Sequence, residues 1–127
     1  MIRDVSENLA FIAQRLMTEV APQTTSNYAA ANTAMIAGLL GALAQESERA
    51  VATRMADIAE IRALLGEAAS FAAEPESLHL QHVNALHAEA QAALIEHHAW
   101  AESNDPERNE AIWALLRRQA ERHFLQM

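Results

Sequence analysis

The sequence has no cysteine, and only three glycines, three prolines and 5% aromatic residues among its 127 positions. Without cysteine there can be no disulfide, no thiolate nucleophile and no cysteine-ligated zinc or iron–sulfur site. So few glycines and prolines do not supply the frequent turns that an all-β domain requires. Apolar residues still make up 51% of the chain, mainly alanine and leucine, and this composition favours helices.

Long hydrophobic runs and positive charge are also scarce. No apolar run approaches the roughly 18 residues of a membrane-spanning helix, and the N-terminus leads into an amphipathic helix rather than a signal peptide. We therefore expect a cytoplasmic protein without a membrane partner. The formal net charge of -8 would repel phosphate backbones, so a nucleic-acid partner is not expected either.

The first two helical segments follow from capping residues and apolar spacing. Asp4 is placed to cap a helix that Pro22 ends, and Ser26 begins the next one. Nothing forbids a single helix over residues 26–73, and the sequence alone leaves open whether it is one helix or two. The apolar stripe rotates along this stretch, however, and the rotation predicts a kink or break between Gln45 and Ala50.

The second half of the chain predicts two more helices. Pro75 suits the first turn of a helix that runs to about Glu102, while Asp105 and Pro106 suit the cap and first position of the last helix. Short connections favour antiparallel neighbours. The predicted fold is therefore all-α, an up-and-down antiparallel bundle of four to five helices, with residues 1–127 forming a single domain.

Histidines supply the most suggestive pattern for chemistry. Glu76, His79 and His82 recur every three residues, and on a helix this spacing would bring them to neighbouring turns, where they could hold a divalent metal ion. The Glu-x-x-His element of di-metal bundles occurs once here, whereas such sites use two. The alternative is that these histidines are ordinary interfacial residues. No other cofactor is predicted.

Charged residues on the middle helices have a simpler interpretation. Asp57, Glu60 and Glu67 fall opposite the apolar series that contains Ile58 and Leu65, so we predict a solvated helix face rather than a pair of catalytic carboxylates. The chain has one basic cluster, near its C-terminus, and we predict that it complements the negative end of the last helix dipole. Its members are Arg117, Arg118, Arg122 and His123.

A set of positions in the first half carries a family resemblance. They are Leu9 and Leu16 before Val20-Ala21-Pro22, Tyr28 with Asn32, the series Leu39, Leu43 and Glu46, and the segment Ala63-Leu64-Leu65-Gly66. With these residues the first half resembles small uncharacterised bacterial helical domains encoded near acyl-CoA dehydrogenases and aminoglycoside-phosphotransferase-like kinases. The resemblance implies an accessory protein that works beside an enzyme.

Phosphate loops, nucleophile elbows and metalloprotease motifs do not occur in the sequence, and the balance is against an enzyme. Our first hypothesis is a helical binding or assembly module that self-associates and serves a protein partner or a small ligand. The predicted homodimer contact is a surface of small residues around Ala31, Met35, Gly38 and Ala42. The alternative is a metal-binding bundle, with or without enzymatic activity, that uses Glu76, His79 and His82.

Overall fold

The computed structural model describes residues 4–126, and every regular element in that range is helical. Helix α1 is Val5–Arg15, and it continues through a π-helical turn, Leu16–Val20, and a 3-10 turn, Ala21–Gln23. The other helices are α2 (Asn27–Leu65, followed by a 3-10 turn at Gly66–Ala68), α3 (Leu80–Asn104) and α4 (Pro106–Arg122). The prediction of an all-α helical bundle is confirmed.

Side-chain caps fix where three of these helices begin. The Asp4 carboxylate accepts a hydrogen bond from the Glu7 backbone N–H at 2.7 Å, and the Ser26 hydroxyl accepts one from the Ala29 N–H at 3.0 Å. Asp105 does the same for α4 by accepting from the Arg108 N–H at 3.1 Å. Each cap satisfies a backbone donor that the first helical turn leaves without a carbonyl partner.

Helix α2 is continuous, so the predicted break between Gln45 and Ala50 is wrong. No proline or glycine occurs in that segment, and the backbone has no reason to leave the helix there. The helix ends instead at Leu65, where Gly66 adopts a positive φ of 58° that glycine enters without steric cost.

The rotated apolar stripe coincides with a boundary between two compact units. Among the described residues, one unit comprises residues 4–49 with 125–126, and the other comprises residues 50–124. Residues 27–49 of α2 belong to the first unit and residues 50–65 to the other. The apolar stripe therefore rotates where the helix passes from one unit to the other.

Helix α3 begins at Leu80, later than the predicted start at Pro75. The Ser77 hydroxyl accepts a hydrogen bond from the His79 backbone N–H at 3.1 Å, which favours a turn over a helix in this stretch. Upstream, the Arg62 guanidinium donates to the Phe71 carbonyl at 2.7 Å, and the Phe71 side chain is buried. The segment before α3 is therefore held in place without being helical.

The core of the second unit is a contiguous apolar cluster from α2, α3, α4 and the segment between α2 and α3. Its buried members are Ile58, Ile61, Leu65, Phe71, Leu86, Ala90, Leu94, Ala101, Ile112 and Leu115. Within residues 4–126, no helix combines the length and apolar character needed to cross a membrane.

Truncating this core should destabilise the protein in proportion to burial. We expect Ile58→Ala and Leu86→Ala each to lower the free energy of unfolding by about 2 to 5 kcal/mol, because both side chains are buried. Ile95→Ala is the matched control, since Ile95 is 69% exposed, and it should cost less than about 0.5 kcal/mol. Urea denaturation followed by circular dichroism measures all three, and equal losses for Ile58 and Ile95 would contradict the core assignment.

Candidate functional site

A buried carboxylate lies at the centre of the second unit. Asp57 is 1% exposed, although the sequence analysis placed it with Glu60 and Glu67 on a solvated face, so that prediction is wrong for Asp57. The buried side of α2 runs through Thr53, Asp57 and Ile61 at steps of four residues. Asp57 therefore occupies a core-facing position of the helix, where an apolar residue would be usual.

Three basic side chains surround the Asp57 carboxylate. His87 Nε2, on α3, lies 2.8 Å from Oδ2, and His123 Nε2, at the C-terminal end of α4, lies 2.6 Å from the same oxygen. Arg122 donates from NH1 to the other oxygen, Oδ1, at 2.5 Å. An ionised carboxylate only accepts hydrogen bonds, so in this arrangement both Nε2 atoms carry a hydrogen.

Glu60 extends the network toward solvent. Its carboxylate contacts Arg122 through one oxygen and accepts from Arg118 Nε at 2.9 Å through the other. Three of the four residues of the basic C-terminal cluster, Arg118, Arg122 and His123, thus contact two acidic side chains of α2, those of Asp57 and Glu60. The prediction that this cluster complements the helix dipole missed its contacts with acidic side chains. Glu60, which was predicted on the solvated face, is held by two of these arginines.

These contacts determine the charge of Asp57. Burial raises the pKa of the Asp57 carboxyl, but hydrogen bonds from His87, His123 and Arg122, with the charge of His123, outweigh it. The pKa therefore lies below its ordinary value. At neutral pH the side chain is a buried anion held by groups from α3 and α4.

Two glutamines continue the polar cluster along the interface of α3 and α4. Gln91 Nε2 lies 3.3 Å from His87 Nε2 and also 3.3 Å from Gln119 Oε1. Gln119 is 7% exposed, and its Nε2 donor finds no acceptor among residues 4–126. A buried donor without an acceptor is costly, so it marks a place where this polar cluster is incompletely satisfied.

The same geometry meets a basic requirement of a metal site. One ligand atom from each of Asp57, His87 and His123 lies within 4.8 Å of the other two, and within the described part of the chain no other group of three such residues does so. Two imidazole nitrogens and one carboxylate oxygen form a ligand set that proteins use for transition metals.

The residues predicted as metal ligands are arranged differently. Glu76 and His79 precede α3, so the helical spacing on which that prediction relied is wrong. His82 Nε2 lies 3.4 Å from Glu76 Oε2, and its Nδ1 contacts the Ser77 hydroxyl at 2.7 Å. The His79 ring is tilted against that of His82, with centroids 6.2 Å apart. Two of the three residues are thus close, and metal binding by this set stays a prediction.

His98 lies at the interface of α3 and α4. Its Nε2 contacts Asn109 Oδ1 at 3.0 Å, and its ring meets Trp113 edge-on at 5.2 Å between centroids. Both neighbours lie on α4, so His98 contributes to the packing of α3 against α4 and gives a useful comparison with His87.

Sequence reasoning missed the cluster because its members share no local spacing. Asp57, His87 and His123 are separated by 30 and 36 positions and come from three different helical segments. One signal was available: Asp57 lies four residues before the apolar Ile61, on the same side of the helix, and a buried acid requires cations nearby.

A second candidate surface is the first half of α2. No Asp, Glu, Lys or Arg occurs in residues 20–45, and in this part of α2 several large apolar side chains are exposed. Tyr28 is 82% exposed, Met35 60%, and Leu39 and Leu43 are each 53% exposed. The solvent-facing side of a helix normally carries charge, so this uncharged apolar face is unusual.

Comparisons with protein-family models, curated proteins and solved structures found no match to this chain. The resemblance to bacterial helical domains, and the bacterial origin that it implies, therefore stay predictions.

The buried anion predicts a specific dependence of stability on pH. Because the folded pKa of Asp57 is lowered, its contribution is fully present above the ordinary aspartate range, near pH 4, and is lost as the pH falls through the folded pKa. We expect Asp57→Asn to lower the free energy of unfolding by about 3 kcal/mol at pH 5. The difference from the unmodified chain should shrink as the pH is lowered toward 2.5.

Urea titrations at a series of pH values provide the measurement. Asp4→Asn is the matched control, because Asp4 is exposed and asparagine caps a helix about as well as aspartate, so it should cost less than about 0.5 kcal/mol. A gap between Asp57→Asn and the unmodified chain that widens on acidification would show that the carboxyl is stabilised in its protonated form instead.

Proposed function

We propose that this protein is a helical binding module that works as a homodimer, and that two copies pair through the uncharged face of the first half of α2. That face is defined by Ala31, Met35, Gly38, Leu39 and Ala42. The observation that carries the proposal is the combination of exposed apolar side chains with the lack of any charged residue from position 20 to 45.

Burial in the first unit supports the need for a partner. Among residues 4–49, the buried side chains are those of Ala37 and Ala44, whereas ten large hydrophobic residues are exposed. They are Val5, Phe11, Ile12, Met17, Val20, Tyr28, Met35, Ile36, Leu39 and Leu43. Two alanines bury little apolar area, and area removed from water is the main favourable contribution to folding. The unit gains most if a second molecule covers these side chains.

Several features favour a second copy of this chain as that molecule. An uncharged face has no complementary charge pattern with which to select a different partner, whereas a two-fold axis lets any such face pair with itself. The face also alternates bulky and small residues, with Met35 and Leu39 beside Ala31, Gly38 and Ala42. Bulky side chains of one helix can then fill the gaps over small residues of the other.

The glycines of α2 support the same proposal. Apart from the chain neighbours and the backbone of the same helical turns, a Cβ atom added at Gly38 or Gly41 would meet no described atom within 4 Å, and neither residue has a positive φ. Each glycine costs a helix about 1 kcal/mol relative to alanine, and nothing within the chain requires it. A close contact with another helix would explain why these two positions have no side chain, because glycine lets the two backbones approach. The resemblance noted above adds that the dimer is an accessory protein that works beside an enzyme, and its partner is another protein or a small ligand.

Variants on this face test the proposal. We expect the chain to be a dimer at micromolar concentration, with Gly38→Leu and Ala42→Glu shifting it toward the monomer through overpacking and a buried charge. Ala99→Glu is the matched control, because Ala99 is exposed on α3 in the other unit. Light scattering coupled to gel filtration reports the mass of each protein.

Gly38→Ala provides a second test of whether the chain is a monomer or a dimer. In a monomer this change should raise helix stability by up to about 1 kcal/mol, since the new methyl group meets open space. In a dimer it should also weaken association. A monomer mass throughout the micromolar range would refute the dimer, and unchanged association in Gly38→Leu and Ala42→Glu would refute this face as the contact.

A further inference from the structure

We propose that Asp57, His87 and His123 form a binding site for one divalent transition-metal ion. This site is separate from the dimer face, lies wholly within residues 50–124, and takes its ligands from α2, α3 and the end of α4.

The convergence of donors is the first argument. Both imidazole Nε2 atoms are directed at one oxygen, Oδ2 of Asp57, at 2.8 and 2.6 Å. Neutralising a buried aspartate needs one cation, and Arg122 already supplies it through Oδ1 at 2.5 Å. The two histidines therefore converge on the carboxylate oxygen that Arg122 does not hold. An ion placed among the three ligand atoms would bond at about 2.0 to 2.2 Å, which needs only small movements from atoms already within 4.8 Å of one another.

Ligand chemistry narrows the kind of ion. Calcium and magnesium prefer oxygen ligands, and magnesium keeps several of its waters. Two imidazole nitrogens with one carboxylate oxygen suit zinc, ferrous iron, cobalt or nickel, and catalytic zinc sites and iron oxygenases use the same combination. Binding requires each imidazole to present a lone pair at Nε2, so the ring hydrogen moves to Nδ1 or leaves as a proton.

The surrounding contacts resemble those that support metal ligands elsewhere. Arg122 holds Oδ1 and thereby leaves Oδ2 for the ion, while Glu60 contacts Arg122 and balances its charge. Such outer contacts orient a ligating carboxylate and influence affinity.

Access to the site is also suitable. The His87 side chain is 21% exposed and that of His123 is 32% exposed, whereas Asp57 is buried. An ion can therefore enter from the side of the two histidines. Three protein ligands leave at least one coordination position open, as in catalytic rather than purely structural zinc sites.

The test uses the full chain without a histidine tag, stripped of metal by a chelator. We expect calorimetric titration with Zn²⁺ to give one ion per chain, and Co²⁺ to produce the visible absorption bands of a low-symmetry site. His87→Gln and His123→Gln should each weaken binding by at least about 100-fold, because removing a ligand costs more than removing an outer partner. Glutamine can still hydrogen-bond to Asp57, and circular dichroism of both variants checks that they fold.

The other histidines provide controls. His98→Gln changes a half-buried histidine of α3 that contacts Asn109 and Trp113 and is not one of the three ligands. It should leave the affinity for Zn²⁺ within about threefold, which corresponds to the roughly 0.5 kcal/mol expected of a substitution outside the site. His79→Gln and His82→Gln should do the same. If those two variants abolish binding while His87→Gln and His123→Gln do not, the ion binds beside Glu76 and the inference is wrong.

Two further results would overturn the proposed metal site at Asp57, His87 and His123. One is the absence of binding at micromolar Zn²⁺ by folded protein, and the other is binding of several ions per chain that neither His87→Gln nor His123→Gln weakens. The dimer variant Ala42→Glu should retain one Zn²⁺ per chain, so that failure of the dimer proposal and failure of the metal proposal give different results.

Discussion

The second unit is organised around one constraint, the burial of a negative charge in the core-facing side of α2. Asp57 is 1% exposed, and a buried carboxylate is tolerated only when hydrogen bonds and opposite charge replace its hydration. α3 supplies His87, and the end of α4 supplies Arg122 and His123. Three helical segments separated by many residues in sequence must therefore meet at one carboxylate. The polar cluster thus helps, together with the apolar core, to fix how these segments are aligned against one another.

The two halves of helix α2 differ in where they place charged and apolar side chains. Its second half places a charge inside and satisfies it, whereas the first half has no charge at all and leaves apolar side chains exposed. The change occurs near residue 50, where one compact unit gives way to the other. A continuous helix permits this because its backbone hydrogen bonds are satisfied whichever side faces a core.

The helix starts could be predicted from local signals, whereas the contacts between residues far apart in the sequence could not. Asp4, Ser26 and Asp105 cap the helices as expected because a cap depends only on residues within one turn. The start of α3 was misplaced because Ser77 binds the His79 backbone in a turn, a competition that helix spacing does not reveal. The Asp57 cluster was missed because His87 and His123 reach it only through the tertiary fold.

The polar cluster is not explained by stability alone. A buried ion pair often stabilises a fold no better than apolar residues of the same volume, because desolvation offsets the attraction between the charges. A core with Leu or Met at position 57 would not bury a charge that His87, His123 and Arg122 have to balance. Keeping these side chains together requires another benefit. A fixed register of three helices is one such benefit, but the contact between Arg122 and Asp57 alone would provide much of it. Two histidines directed at a single carboxylate oxygen are most useful when a metal ion binds among the three side chains.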